Sequence, residues 1–300
     1  MLARFADEPT IRSTFDEASQ VLGYDLWKLV NEGPAEDLNA TERTQPAMLA
    51  AGVATWRLWK KKDGPTPALV TGHSLGEFTA LVAAESLDFA TAVDLVQFRG
   101  KVMQEAVPMG TGSMAALLGL EDADVETVCA EVAMGDVVEA VNFNAPGQVV
   151  IAGEKRAVHR AVDVARARGA KKAIELPVSV PSHSSLMRAA GLRLGERLSR
   201  TEIHAPKIRF VSAVDARDHS APDDIRALLI HQLSSPVRWT TTIASLTVPP
   251  SGSGIQRIVE CGPGGVLAGL VKRIERRRDT QVFALGDPES LDAALAAANG

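Results

Sequence analysis

The sequence predicts an α/β fold with a smaller α+β unit set into it, and two stretches carry that expectation. Pro67 to Glu77 reads as an apolar strand, a Gly-flanked Ser turn and a helix start in immediate succession, the pattern of a buried strand with helices on both faces. From Gly110 to Val178 the texture changes to short elements in the order β-α-β-β-α-β, which is the ferredoxin-like arrangement. Residues 1–109 and 179–300 then form the larger unit and 110–178 the smaller. With 300 residues and 46% hydrophobic content, the chain can bury a sizeable core.

The elements follow in order. Thr10 to Leu22 and Tyr24 to Val30 have helical periodicity, with no strand before them. Thr44 to Lys62 predicts a longer helix that buries Met48, Leu49, Val53, Trp56 and Leu58 and ends in three lysines at the negative end of its dipole. Ala68 to Val70 is the strand before the turn, and Glu77 to Ala84 the helix after it. Phe89 to Val107 is a second long helix, closed by Pro108 and Gly110. In the smaller unit, strands are expected over Ser113–Leu120, Val137–Phe143, Gln148–Ala152 and Ala173–Leu176. Helices are expected over Ala123–Val132 and Glu154–Arg168, and Asn142, Asn144, Pro146 and Gly147 mark the middle turn. Beyond it come a strand at Ile208–Ala213 and a helix at Asp223–Leu233. A Pro/Gly/Ser loop at Pro249–Gly254, a strand at Ile255–Cys261 and a helix reaching Arg277 complete the chain.

Gly72 to Gly76 spells G-x-S-x-G between strand and helix, the context of a nucleophile elbow. The bland alternative is a Ser N-cap. A nucleophilic Ser74 needs a base, and His183 in VSVPSHSSLM follows it in the chain order of α/β-hydrolases. A lone His is more often structural. Arg99 lies among Leu95, Phe98 and Val102 on a helix, where it is either a surface cation paired with an acid or a bidentate clamp for a substrate carboxylate. Spacing does not decide between these. GPGGVLAG departs from a dinucleotide loop at Leu267 and reads as a tight turn.

A net charge of −5 argues against nucleic acid as the main partner. No apolar run is long enough to span a bilayer, and the first ten residues lack the apolar core of a secretion signal. The two cysteines, Cys129 and Cys261, have no metal-ligand spacing and read as small buried apolar residues. A cytoplasmic setting is expected. The basic cluster Lys272 to Arg278, or Lys171 with Lys172, offers a docking place for an acidic partner or is a solvated helix end.

Eight ordered stretches carry a wider likeness. They are GYDLWKL (Gly23–Leu29), TQPAMLA (Thr44–Ala50), GHSLGE (Gly72–Glu77), FRGKVMQEAVP (Phe98–Pro108), VNFNAPGQVVIAG (Val141–Gly153), LPVSVPSH (Leu176–His183), QLSSPVRW (Gln232–Trp239) and ECGPGGVLAGL (Glu260–Leu270). Through them the whole chain resembles the malonyl-CoA:acyl carrier protein transacylases of bacterial fatty-acid synthesis. The resemblance implies an α/β-hydrolase-like large subdomain with an inserted ferredoxin-like one and an active site in the gorge between them. It implies Ser74 as the nucleophile that takes the malonyl group from malonyl-CoA, and His183 as the general base. It further implies Arg99 as the clamp on the malonyl carboxylate, the Leu75 N–H as an oxyanion donor, and the main-chain carbonyl of Gln232 as the group that orients His183. No cofactor or metal is implied. The partners implied are malonyl-CoA and phosphopantetheinylated acyl carrier protein, with the enzyme a monomer and no membrane or nucleic acid involved.

The family pattern opens with a short strand and a G-Q-G-x-Q loop that supplies a second oxyanion donor, and no such sequence occurs here. The expectation drawn from this is that Met1 is an internal methionine of a longer chain. Other readings remain open from the residues alone. One is a serine esterase or thioesterase that does not need Arg99. Another is a catalytically weak module that binds carrier protein, and a third is a transacylase serving polyketide synthesis.

Overall fold

Helices open the chain in the computed structural model, which describes residues 1–178, 180–247, 254–276 and 280–299. Gly23, at φ 74°, ends α1 (Pro9–Leu22), and the Asp25 carboxylate caps α2 (Leu26–Glu32) by accepting from the Lys28 N–H at 2.8 Å. A short α3 (Ala35–Asn39) leads into α4 (Thr41–Lys61). Leu49, Val53 and Leu58 are buried on α4, whereas Met48, expected inside, is 38% exposed and Trp56 half-buried. Met48 sits next to the buried Ala47 and Leu49, where α4's apolar side gives way to its outer edge.

The strand β1 (Leu69–Thr71) leads through the Ser turn into α5 (Gly76–Ala83), and α6 (Phe89–Glu105) follows. Gly100 fixes how α6 meets α4: a Cβ there would lie 2.5 Å from the Thr41 carbonyl oxygen. This close approach carries the adjoining Arg99 into the interior. Expected as a fully buried strand, β1 is instead half-buried along its length. It pairs in parallel with β6 (Arg209–Val211) alone, and β7 (Arg257–Glu260) pairs in parallel with β8 (Gln281–Ala284). Each of these strands has one neighbour among the described residues and so keeps an unpaired edge; β1, β7 and β8 are mostly half-buried, whereas Phe210 and Val211 of β6 are buried.

The residues between hold one four-stranded antiparallel sheet. Its strands are β2 (Gly112–Leu118), β3 (Val138–Ala145), β4 (Gln148–Glu154) and β5 (Lys172–Glu175), in spatial order β3-β4-β2-β5. Placing α7 (Asp122–Val132) after β2 and α8 (Lys155–Ala167) after β4 gives the ferredoxin-like order. Ala115, Leu117, Val149 and Ile151 meet Val125, Val128, Val158 and Val162 in a core of apolar side chains. Asn142 and Asn144, expected in the turn, extend β3, and only Pro146 and Gly147 (φ 69°) make the turn.

The remaining elements are α9 (Arg188–Leu198), α10 (Pro222–Gln232), α11 (Trp239–Thr247), α12 (Val266–Ile274) and α13 (Pro288–Asn299). Of these, α9, α11 and α13 go beyond the sequence reading, as do α3 and β8. The helix expected to reach Arg277 stops at Ile274. Most of the expected Pro249–Gly254 loop, together with Arg277 and Arg278, lies outside the described residues.

Candidate active site

The site is assembled where β1 turns into α5. Ser74 adopts φ 51°, a left-handed conformation that a non-glycine residue holds only where its surroundings impose it. Gly72 makes the turn possible, since a Cβ there would fall 2.0 Å from the Gly76 carbonyl carbon. Gly76 itself faces open space. Of the two glycines flanking the Ser, space therefore excludes a side chain at Gly72 and not at Gly76. The Gly76 and Glu77 N–H groups are taken by the His73 and Ser74 carbonyls at 2.9 and 3.1 Å. The Leu75 N–H has no acceptor among the described residues and remains open at the head of α5.

Ser74 Oγ lies 2.8 Å from His183 Nε2 and accepts from Arg99 Nη2 at 3.1 Å. His183 Nδ1 lies 2.9 Å from the main-chain oxygen of Gln232. A carbonyl only accepts, so Nδ1 carries the proton and Nε2 is left to accept from the serine hydroxyl. The His183 loop is pinned twice to the end of α10, because the His183 N–H also donates to the Leu233 carbonyl at 3.0 Å. His183 holds φ 66° and is 4% exposed. Burial first, then the nearby Arg99 cation, push its pKa down to about 3, so the imidazole is neutral at physiological pH.

Arg99, on α6, is 2% exposed. Its Nη1 donates to Gln45 Oε1 at 2.7 Å and its Nη2 to Gln232 Oε1 at 3.0 Å, while its Nε is buried without a hydrogen-bond partner. No carboxylate lies within ion-pair distance of it among the described residues. The surface ion-pair reading of Arg99 is thus excluded. Burial lowers its pKa to about 10, which Glu77 partly offsets, and it stays charged at neutral pH.

The sequence reading missed the two groups beneath the site. Gln45 lies within TQPAMLA and Glu77 within GHSLGE, and neither stretch marks a role for them. Glu77 is 0% exposed and accepts from Ser212 Oγ, the Ala213 N–H and Gln232 Nε2, each at 2.7 Å. Burial raises its pKa to about 7 against the pull of these donors and of Arg99. Nothing in sequence spacing joins Glu77 to Ser212, so no local signal marks its burial. His73 shares a 2.8 Å hydrogen bond with Asn144 of β3 and meets the Trp239 ring edge-on at 5.7 Å.

Among the described residues no group of three His, Cys, Asp or Glu side chains could hold a metal, and no helix is long and apolar enough to cross a membrane. Cys129 is buried and Cys261 half-buried; both are free, and burial pushes both thiols up to about 12. Neither is a nucleophile at neutral pH.

Comparison with known proteins places this geometry. The family model described as acyl transferase domain matches residues 5–280. The malonyl CoA-acyl carrier protein transacylase of Escherichia coli (strain K12) is 50% identical over 291 residues, covering 97% of this chain and 92% of that protein. The solved malonyl CoA-acyl carrier protein transacylase of Coxiella burnetii superposes with a TM-score of 0.95 at 45% identity, over 99% of this chain and 92% of that one. A malonyl-transacylase solved with the acyl-carrier protein of a type II PKS gives 0.95 at 49% identity, over 99% of this chain and 94% of that one.

Proposed function

The chain belongs to the acyl transferase family, and from that premise we propose that it moves a malonyl group from malonyl-CoA to the phosphopantetheine thiol of acyl carrier protein through a malonyl ester of Ser74. The observation that carries the chemistry is the buried relay from Ser74 Oγ through His183 to the Gln232 carbonyl, with Arg99 beside the hydroxyl.

Ser74 Oγ attacks the thioester carbon as its proton passes to His183 Nε2. The tetrahedral oxyanion accepts from the Leu75 N–H, which is free to donate. The C–S bond breaks and His183 returns the proton to the departing CoA sulfur. In the second half the carrier thiol gives its proton to His183 and attacks the ester, and the C–Oγ bond breaks with the proton restored to Ser74. The steps balance without a cofactor. A carbonyl at Gln232 orients the imidazole without adding negative charge, so His183 remains a weakly basic, neutral acceptor.

Arg99 holds the malonyl carboxylate, taking it in exchange for its bond to Ser74 Oγ, which also frees the nucleophile. An acetyl group brings no such counter-charge to a buried guanidinium, a difference on the order of 2–5 kcal/mol. Fixing the acyl group in this way favours attack by a docked thiol over attack by water.

We assign 1–109 and 179–300 to the catalytic subdomain and 110–178 to the small one, supported by the separate core of the four-stranded sheet. A cytoplasmic monomer fits this activity. The 49% identical protein solved with a type II PKS carrier favours a second reading of the pathway only, in which the carrier serves polyketide synthesis.

The test is the intact mass after brief mixing with malonyl-CoA, on wild type and Ser74→Ala. A malonyl adduct on wild type alone, passed on when holo carrier is added, is expected. An equal adduct on Ser74→Ala, or loss of the adduct to water as fast as to carrier, overturns the assignment.

A further inference from the structure

The malonyl-transfer reading leaves Glu77 without a part, although it is a fully buried carboxylate three residues past the nucleophile. Its partners fix its chemistry. Ala213 N–H and Ser212 Oγ donate to Oε1, and Gln232 Nε2 donates to Oε2. Two partners with fixed roles orient the Gln232 amide: the Ser74 carbonyl oxygen only accepts and the Arg99 guanidinium only donates, so the end of the amide that faces the Ser74 carbonyl and Glu77 Oε2 is its NH2. The same NH2 donates to the Ser74 carbonyl oxygen at 3.0 Å, and the amide oxygen is thereby turned to Arg99 Nη2 at 3.0 Å.

We propose that Glu77 is a positioning residue for the reaction: by accepting from Gln232 Nε2 it locks the amide so that an oxygen faces the Arg99 guanidinium, which keeps the carboxylate clamp in register with Ser74. This rests on the malonyl-transfer reading and adds a residue to it. Turned the other way, the amide would set its NH2 against the guanidinium, and its oxygen against both the Glu77 carboxylate and the Ser74 carbonyl. The contacts with Arg99 and with the Ser74 carbonyl would be repulsive, as would the contact with Glu77 in its ionised form, among side chains buried from solvent. Gln232 also supplies the main-chain oxygen to His183, so one residue ties the base, the nucleophile's backbone and the clamp to the carboxylate below. The Glu77 charge is moreover the one that acts on Arg99 in the absence of an ion pair.

Glu77→Gln tests the lock with minimal change of shape. Ala213 N–H is a fixed backbone donor and holds the oxygen of the new amide, whose NH2 then meets Gln232. To accept from it, Gln232 must turn its own NH2 onto Arg99. The expected result is a KM for malonyl-CoA raised roughly tenfold, with the preference for malonyl over acetyl transfer falling by a similar factor and acetyl transfer changing less than about threefold. Equal losses on both acyl groups, or an unchanged preference, overturn the proposal, because a merely structural role would not separate them. Arg99→Ala is measured alongside. If it leaves the malonyl preference intact, the clamp reading itself has failed; if it removes the preference and Glu77→Gln does not, only the role of Glu77 has failed. Should Glu77→Gln not fold, Ser212→Ala, which withdraws one donor from Oε1 and leaves the clamp untouched, is expected to lower the preference about twofold to threefold. No change there overturns the proposal equally.

Discussion

The molecule has two cores of opposite character. Beneath the four-stranded sheet, Leu117, Val149, Ile151, Val128 and Val158 fill the space with hydrocarbon. Between α5, α6 and α10 the interior instead holds a guanidinium, a carboxylate, an imidazole and the Gln45 and Gln232 amides, none more than 6% exposed. The first is held by area removed from water and by fit. The second depends on its donors finding acceptors, as all but Arg99 Nε of the groups named above do, because an unmatched buried polar group destabilises by about as much as a hydrogen bond contributes, or more. A hydrocarbon core tolerates loss in proportion to volume, whereas a polar one fails by orientation.

Substitutions sharpen this contrast. The largest effect is expected at Gly72, where Gly72→Ala drives a methyl into the Gly76 backbone and should abolish folded, active protein, seen as loss of soluble enzyme and of the acyl adduct. Gly76→Ala, facing open space, should keep both. Next comes Arg99→Ala, expected to weaken malonyl transfer relative to acetyl transfer by about 2–5 kcal/mol in kcat/KM, measured by competition between the two CoA esters. Ile151→Ala in the hydrocarbon core should lower unfolding stability by about 2–5 kcal/mol in denaturant titration and leave the acyl preference unchanged. A shift in that preference would break the separation of the two cores. The smallest signal is spectroscopic. His183 should remain neutral on lowering the pH from 7 through its ordinary value of 6.5, since its folded pKa is about 3. By 15N NMR its ring should titrate in that acidic range, and Arg99→Ala should move the midpoint upward by removing the largest cause after burial.

The same contrast explains what can be read from the sequence. The small sheet is legible because its short apolar strand runs, the helical spacing between them and the order β-α-β-β-α-β are local properties of Ser113 to Leu176. Ser74 is marked by its turn and His183 by chain order. Arg99 is ambiguous from spacing, and its burial is decided by Gly100, which lets α6 close on α4. Glu77 and Gln45 carry no local mark. A glutamate in a first helical turn ordinarily faces water, and only the arrival of Ser212 and Ala213 from beyond β6 turns this one into a buried acceptor. Met48 shows the reverse, an apolar side chain that helical position leaves outside. β8, α9, α11 and α13 went unread; the helices have weak boundaries, although Asp287 caps α13 through the Ser290 N–H at 2.8 Å.

The shared amide of Gln232 also bears on any attempt to re-tailor acyl selectivity. Replacing Arg99 with an apolar residue, the obvious route to uncharged or bulkier acyl groups, strands the oxygens of Gln45 and Gln232 and leaves Glu77 without its nearest positive charge. Single substitutions should therefore look worse than the pocket they aim to create, and their effects should not add. Broader substrate range is better sought by exchanging Gln45, Glu77, Arg99 and Gln232 as one set, so that the new floor begins with no unmatched donors or acceptors.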